Sequence, residues 1–324
     1  MQNTTINSSK ADISVIIPVY NCRFLPEAID SVLAQTVLPS EIIVVDDGSD
    51  PAVRLSDRHR NHVKVFYQKN SGQGTARNNG VYHSKCDLIA FLDSDDIWHP
   101  RKIEEQLNAM LKNPELSCVS CRNILIDNEG KYTGVGPGNF SDSTSQISRI
   151  EFLRFSPLAI LVPSMIMMMK SAFLKTPGFE KQFPVVEDLV FFDSLLKEFP
   201  VIIVEKPLLL RRMHGNNLTF KYRKMLNCYL KWINNRLEEE CDKSLLIELT
   251  SLVYKINALS AYFLHKDADS RIMMKKSFKL FPELKTLFLF FLTVCGSNLG
   301  SIFRKIKREF SAGEPQKIMM RFNS

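Results

Sequence analysis

Leu88-Ile89-Ala90-Phe91-Leu92-Asp93-Ser94-Asp95-Asp96 is the stretch that decides the reading of this chain, with five apolar residues followed by carboxylates at i, i+2 and i+3. A short, continuously apolar run fits a strand covered on both faces. Acids directly beyond it lie at the mouth of a sheet, where they can hold a divalent cation. Hard oxygen ligands suit Mg²⁺ or Mn²⁺, which bind through one or two carboxylates together with substrate phosphates. A substrate carrying a diphosphate is therefore expected. Alone, an Asp-x-Asp turn is more often a solvated loop, so its neighbours decide its weight.

Working outward, residues 13–17, 41–45 and 63–67 repeat the same short, β-branched, apolar pattern. Helical spacing fills the gaps. Leu25, Ile29, Val32 and Leu33 recur behind Pro26, a residue suited to a first helical turn, and Pro100 opens a segment with Ile103, Leu107, Met110 and Leu111 on one face. Strand and helix alternating in this way imply right-handed βαβ units and an open, mostly parallel α/β sheet flanked by helices. Ligands of such sheets sit beyond the carboxyl ends of the strands. The polar oddities of this sequence fall there: Pro18-Val19-Tyr20-Asn21, Asp46-Asp47-Gly48-Ser49, Asn70-Ser71-Gly72-Gln73-Gly74 and the Asp93 cluster.

Each of these segments suits a nucleotide-sugar site. Asp46 and Asp47 can accept hydrogen bonds from a base N–H or ribose hydroxyls, although Asp-Asp-Gly-Ser is also good turn chemistry. Gly72 and Gly74, running into Thr75-Ala76-Arg77-Asn78, let backbone approach a ligand and place a helix N-terminus and an arginine near negative charge. No dinucleotide or Walker fingerprint occurs.

The ordered set 13–21, 45–49, 70–80 and 91–96 resembles the family 2 inverting glycosyltransferases with the GT-A fold. The likeness continues through Pro177-Gly178-Phe179, Val186-Glu187-Asp188 and residues 211–217, so it covers about residues 11–220. The resemblance implies that Pro18 and Tyr20 line the nucleotide, that Asp47 contacts the base with Asp46 in support, and that Arg77 helps hold the nucleotide. It makes Asp93 and Asp95 the metal-binding Asp-x-Asp, with Mn²⁺ or Mg²⁺ as cofactor. Glu187 falls in the substrate region and Asp188 matches the general base. His214 is a further candidate metal ligand, or a donor to a phosphate oxygen. The implied reaction moves one sugar from a nucleotide-diphosphate sugar, a UDP-sugar as the first expectation, to a hydroxyl of a glycan or lipid-linked glycan. The implied setting is bacterial lipopolysaccharide or capsule polysaccharide biosynthesis. Pro177 departs from relatives, which often place a small flexible residue there, and stiffens a loop near the acceptor.

Composition sets the outer limits. With 324 residues, 45% of them hydrophobic and 24% charged, the chain suits one large domain plus an appendage rather than disorder. Residues 1–11 are polar and expected to be disordered; they lack the pattern of a secretory signal, so a cytoplasmic location is expected. The seven scattered cysteines fit reduced thiols, and Cys118-x-x-Cys121 lacks the second pair a structural zinc needs. Residues 12–220 form the expected catalytic domain.

Residues 221–324 carry 19 Lys and Arg against 10 Asp and Glu, leaving residues 1–220 slightly acidic within a net charge of +7. Helical stripes at Leu226, Tyr229, Leu230, Ile233 and Leu237, and at Leu245, Leu249, Leu252, Ile256 and Leu259, predict a helical C-terminal extension. The apolar run 287–292 beside the basic 304–308 favours peripheral contact with the inner face of the cell membrane over nucleic acid, and is too short to span a bilayer. The apolar residues 156–169 read mostly as a core strand, with contact to a lipid-linked acceptor as the alternative. Two other classes remain open. A sugar-nucleotide pyrophosphorylase or nucleotidyltransferase would want a glycine-rich loop after the first strand, where Pro18-Val19-Tyr20-Asn21 stands. A catalytically inactive glycosyltransferase-like binding protein would have no reason to keep Asp47, Asp95 and Asp188 together.

Overall fold

The structure, a computed structural model, describes residues 10–136, 144–155, 161–213, 222–237, 240–264 and 266–282. The described residues form two compact units, the first of residues 10–149 and 161–213, the second of residues 150–155 and 222–282.

The first unit is built on a ten-stranded sheet. Its strands are β1 (Lys10–Val19), β2 (Leu38–Asp46), β3 (Val63–Tyr67), β4 (Leu88–Phe91), β5 (Ile97–Trp98), β6 (Cys118–Ile126), β7 (Tyr132–Val135), β8 (Thr144–Ile147), β9 (Met167–Met169) and β10 (Val201–Arg212). Its helices are α1 (Leu25–Leu33), α2 (Asp57–Arg60), α3 (Gln73–His83) and α4 (Lys102–Lys112), then, after α5 (Arg149–Phe155), α6 (Lys170–Leu174) and α7 (Glu187–Glu198). α5 belongs to the second unit apart from Arg149.

The four strands expected from the apolar runs lie side by side and parallel in the order β3-β2-β1-β4. Both faces of this half are covered, which explains the unbroken apolar runs. Ile42 and Val44 of β2 pack in one cluster with Ala28, Ile29 and Val32 of α1, while Ile43 and Val45 face Ala76 of α3. Each fully buried Ile or Val contributes roughly 1.5–3 kcal/mol relative to exposure. α3 lies so close on β1 that a Cβ at Gly80 would stand 2.3 Å from Ile16 Cγ2.

Beyond β4 the sheet becomes mixed. β9 runs antiparallel to both β4 and β6, β6 and β10 are parallel, and β5, β7 and β8 pair antiparallel at the margins. The core strand expected over residues 156–169 shrinks to the three methionines of β9, because Pro163–Met165 forms a tight 3-10 turn just before it; residues 156–160 lie outside the described residues. α4 also differs from expectation. Ile103 is buried, but Leu111 is 49% exposed and the inward face is completed by Lys102 and Gln106. Lys102 Nζ donates to Gln106 Oε1 (2.6 Å) and lies 4.1 Å from the centre of the Trp98 ring. These contacts let a lysine occupy a core position, and burial pulls its pKa down to about 8.

The second unit is helical, with α8 (Tyr222–Trp232), a π-helical turn (Ile233–Leu237), α9 (Lys243–Phe263) and α10 (Asp267–Leu280). Asp242 caps α9 by accepting from the backbone N–H groups of Ser244 and Leu245. The buried face of α9 runs through Leu245, Leu249, Val253, Asn257 and Ala261; of the residues expected in its second half, Leu259 packs against the core of this unit, whereas Leu252 and Ile256 are only half-buried. Small residues join α9 to α10: Ser251 bonds to Ser277 (3.0 Å) and Ser270 Oγ donates to the Ala258 carbonyl (2.8 Å). The apolar run 287–292 and the basic 304–308 lie outside the described residues. Among the described residues no helix is long and apolar enough to cross a membrane.

Candidate active site

Strand register builds the site. Val19 pairs with Asp46, and Asp46 with Tyr67, so β1, β2 and β3 end level and the next residues line one rim. β4 follows through the pairing of Ile16 with Phe91, which carries Asp93 to the same edge. Pro18 is buried within β1, whereas Tyr20 is 53% exposed at the rim.

Asp46, the last residue of β2, and Asp47 just beyond it are both buried, and the chain itself uses both oxygens of each. Asp46 Oδ1 accepts from the backbone N–H of Ser49 and Oδ2 from that of Val53, each at 2.8 Å, which folds the loop back on the strand. Asp47 Oδ1 accepts from Gln68 Nε2 and the Ser71 N–H (both 2.7 Å), and Oδ2 accepts from the Gly72 N–H (2.8 Å). Asp47 therefore fixes the glycine-rich loop that leads into α3, and Oδ2, taking one bond, retains acceptor capacity. Gly48 is required here: its φ is +80° and a Cβ would stand 2.8 Å from the Asn70 nitrogen. Asn21, also at positive φ, ties β1's end to the same loop through Ser49 Oγ and the Asp50 N–H.

α3 is the organising element. Its Arg77 is 1% exposed, donates through Nη2 to Asp93 Oδ1 (2.5 Å) and stacks 5.1 Å from the centre of the Phe179 ring. Burial opposes the Arg77 cation, but Asp93, then Glu187 and Asp188, outweigh it and raise its pKa. Arg77 Nε and Nη1 and the Glu187 Oε2 oxygen are buried without a hydrogen-bond partner among the described residues. Asn78 reaches the segment before Glu187, giving Nδ2–H to the Phe179 carbonyl (2.9 Å) and accepting the Phe179 N–H at Oδ1 (3.0 Å). A Cβ at Gly74 would lie 3.0 Å from Glu187 Cγ, so α3 and the start of α7 touch.

Asp188 is the second residue of α7 and is half-buried. Burial and the neighbouring Glu187 push its pKa up to about 6, against the pull of Arg77, the Leu189 N–H and Arg211. A carboxylate so tuned is ionised at neutral pH yet basic enough to accept a proton. Val185, just before the pair, has φ +69°, a strained conformation for a β-branched residue.

On the acidic loop, Asp93 and Asp95 are half-buried and Asp96 is buried. Burial, then Asp95 and Asp93, push the Asp96 pKa well above the usual carboxylate range, while the Ser164 hydroxyl and the Arg212 N–H oppose this. Mutual repulsion of that kind is what a cation would relieve. The donor set is hard oxygen, so the residues fit Mg²⁺ or Mn²⁺, with Asp93 and Asp95 as holders. Among the described residues no group of three or more potential ligand side chains is gathered. An ion completed by substrate phosphates does not require one. His214 lies outside the described residues.

Sequence reasoning missed Ser164 and Arg212. Ser164 Oγ accepts the Asp93 N–H (2.9 Å) while its carbonyl accepts Trp98 Nε1–H (2.9 Å). Its only signal was a lone hydroxyl in an apolar run. Arg212 grips the acidic loop from β10.

Comparison with known proteins places this geometry in context. The profile described as Glycosyl transferase family 2 matches residues 14–176, just over half of the chain. An uncharacterized glycosyltransferase of Rickettsia typhi is 32% identical over 215 residues, 64% of this chain and 65% of the relative. Chondroitin synthase of Escherichia coli is 30% identical over 214 residues, 64% of this chain but 30% of that protein. The chain thus spans less than two thirds of the length of these relatives. In fold it is similar to S. aureus TarS 1-349 in complex with UDP, with a TM-score of 0.57 at 18% identity over 83% of this chain and 81% of that one. The complex of the same protein with UDP-GlcNAc gives a TM-score of 0.55 at 15% identity, with the same coverage.

Proposed function

Since the chain belongs to glycosyl transferase family 2, we propose that it transfers a single sugar from a nucleotide-diphosphate sugar, a UDP-sugar first, to a hydroxyl of a glycan or lipid-linked glycan, inverting the anomeric carbon. The observation that carries this reading is the position of Arg77, whose buried guanidinium bonds to Asp93 and feels the charges of Glu187 and Asp188. One arginine of α3 is thereby bonded to an acid suited to the diphosphate end of a donor and lies within reach of the charge of the acid suited to a proton. The UDP and UDP-GlcNAc complexes of TarS support a uridine nucleotide.

In this reading the nucleoside lies along the rim formed by Tyr20 and the Asp47-anchored loop. A divalent cation held by Asp95 and Asp93 would supply Lewis-acid stabilisation to the departing diphosphate. Asp188 takes the proton of the acceptor hydroxyl as that oxygen bonds to the anomeric carbon; the bond to the nucleoside diphosphate breaks from the opposite face and its electron pair leaves with the phosphate oxygen. Glu187 keeps Asp188 basic, and the Arg77 cation lies close enough to both acids to offset part of their negative charge.

The test is a panel of nucleotide sugars with Mn²⁺ or Mg²⁺, reading nucleotide release and binding. UDP release from at least one UDP-sugar is expected. Consumption of a nucleoside triphosphate and a sugar 1-phosphate in its place would favour a nucleotidyltransferase and overturn the proposal.

Peripheral contact with an anionic membrane surface belongs to the same reading. The outer face of α10 exposes Arg271, Lys275, Lys276 and Lys279 with Ile272, Leu280 and Phe281, and each such cation near an anionic bilayer is worth about 1 kcal/mol. Cosedimentation with phosphatidylglycerol vesicles should exceed that with phosphatidylcholine and fall when Arg271, Lys275 and Lys279 are changed to glutamate. Equal sedimentation by both proteins would remove this face from consideration.

A further inference from the structure

We propose that Arg212, at the end of β10, is the positioning residue that holds the acidic loop in the shape a diphosphate and its cation need; the inference rests on the function proposed above. Arg212 is 2% exposed, its side chain turned into the protein and spent on other parts of the chain. Its backbone N–H donates to Asp96 Oδ1 (2.9 Å) and its Nε–H to the Asp95 carbonyl (3.0 Å), so one residue grips two successive members of the loop. The rest of the guanidinium anchors that grip. Nη1 donates to the carbonyls of Asp127 and Asn128 (both 3.2 Å), Nη2 to Glu27 Oε2 of α1 (2.7 Å), and the guanidinium carbon lies 4.0 Å from the centre of the Phe24 ring.

Three parts of the chain thus meet on one side chain: the acidic loop, the segment from Phe24 into α1, and the turn after β6. Lysine cannot replace this set, because a planar fork with five N–H donors spreads bonds in fixed directions where an ammonium offers a single point. Burying a guanidinium is costly unless its donors are satisfied. Its partner Glu27 is half exposed, so much of the compensation comes from the three carbonyls, which are available only while the loop and the turn keep this conformation. The dependence runs both ways. β5, which follows Asp96 directly, pairs antiparallel with β10 through Leu209–Trp98 and Leu210–Ile97, so the strand that carries Arg212 also fixes the far end of the loop.

The experiment compares wild type, Arg212→Lys and Glu27→Gln by UDP binding titrated with Mn²⁺, by UDP binding without metal, and by melting temperature. The Mn²⁺ concentration for half-maximal UDP binding should rise about tenfold or more in Arg212→Lys, the scale seen when a group orienting a metal ligand is lost. Metal-free UDP affinity should stay within about twofold, since the nucleoside rim is built from other strands. Glu27→Gln keeps the fold if Arg212→Lys does not, and should move the Mn²⁺ midpoint in the same direction by a smaller factor. A merely structural role would lower the melting temperature and leave the Mn²⁺ midpoint of the folded protein unchanged, and that result overturns the proposal. Wild type that binds UDP with no response to Mn²⁺ removes the proposed metal step itself, an outcome distinct from a variant that matches a metal-responsive wild type.

Discussion

Asp188→Asn is expected to lower kcat for glycosyl transfer by about 10²–10⁴, the usual worth of a positioned proton acceptor, while nucleotide binding stays close to wild type. Asparagine keeps the size and polarity of the side chain but cannot take a proton at neutral pH. Steady-state kinetics beside calorimetric UDP binding separate the two effects. The pH profile supplies a second check. Burial and Glu187 hold the Asp188 pKa up to about 6, so activity should fall through half-maximum near there as pH drops and the base becomes protonated. Glu187→Gln removes the second of those causes and should shift this acid limb to lower pH. Stability runs the other way. A carboxyl whose folded pKa lies above its ordinary value of 3.8 favours the fold while protonated and loses that advantage as pH rises from about 4 to about 6. At pH 7.5 the asparagine variant should therefore melt at an equal or higher temperature than wild type, the trade expected where a residue is kept for chemistry. Unimpaired turnover by Asp188→Asn would show that another group accepts the proton.

Asp95→Ala is expected to abolish metal-dependent transfer, with kcat/KM down by about 10²–10³ because Lewis-acid stabilisation of the leaving diphosphate is worth several kcal/mol. Its neighbour makes a discriminating control. Asp96 is buried, and burial with the neighbouring Asp95 and Asp93 raises its pKa. The bond it accepts from the Arg212 N–H is one an asparagine Oδ1 can also accept. Asp96→Asn should therefore melt at an equal or higher temperature at neutral pH and leave the Mn²⁺ response nearly intact. A Mn²⁺ titration of both variants reads the difference. Activity of wild type that survives exhaustive chelation, together with an active Asp95→Ala, would remove the metal from the mechanism and leave the acidic loop a structural role.

Much of the parallel half of the sheet is legible in the sequence because its strands are covered on both faces. That environment selects unbroken runs of β-branched residues, and the runs at 13–17, 41–45, 63–67 and 88–92 all fall on β1 to β4 with at most one residue of overhang. α1 is equally plain, since Pro26 lies in its first turn and Ala28, Ile29 and Val32 are fully buried. α4 was legible in position and misleading in detail. An apolar stripe that includes Leu111 fits the spacing, but Trp98 and Gln106 offer Lys102 a ring face and an amide oxygen, and the helix turns its lysine inward. The i, i+4 spacing of Lys102 and Gln106 permits that pairing, but which face turns inward is decided only when the helix packs against Trp98.

The candidate site divides along the same line. Local order along the chain was enough to place acids and glycines at the ends of parallel strands, because strand, turn and helix signals act over a few residues and a parallel sheet sends its strand ends to one edge. The partners of those acids came from folding alone: Asp47 spends its oxygens on the loop at 71–72, Arg77 turns inward to Asp93 and the Glu187–Asp188 pair, and Arg212 reaches the acidic loop across more than a hundred residues. Hydrogen bonds and charge act over a few ångströms in space and are indifferent to separation along the chain, so they leave no repeat or spacing by which a sequence could announce them.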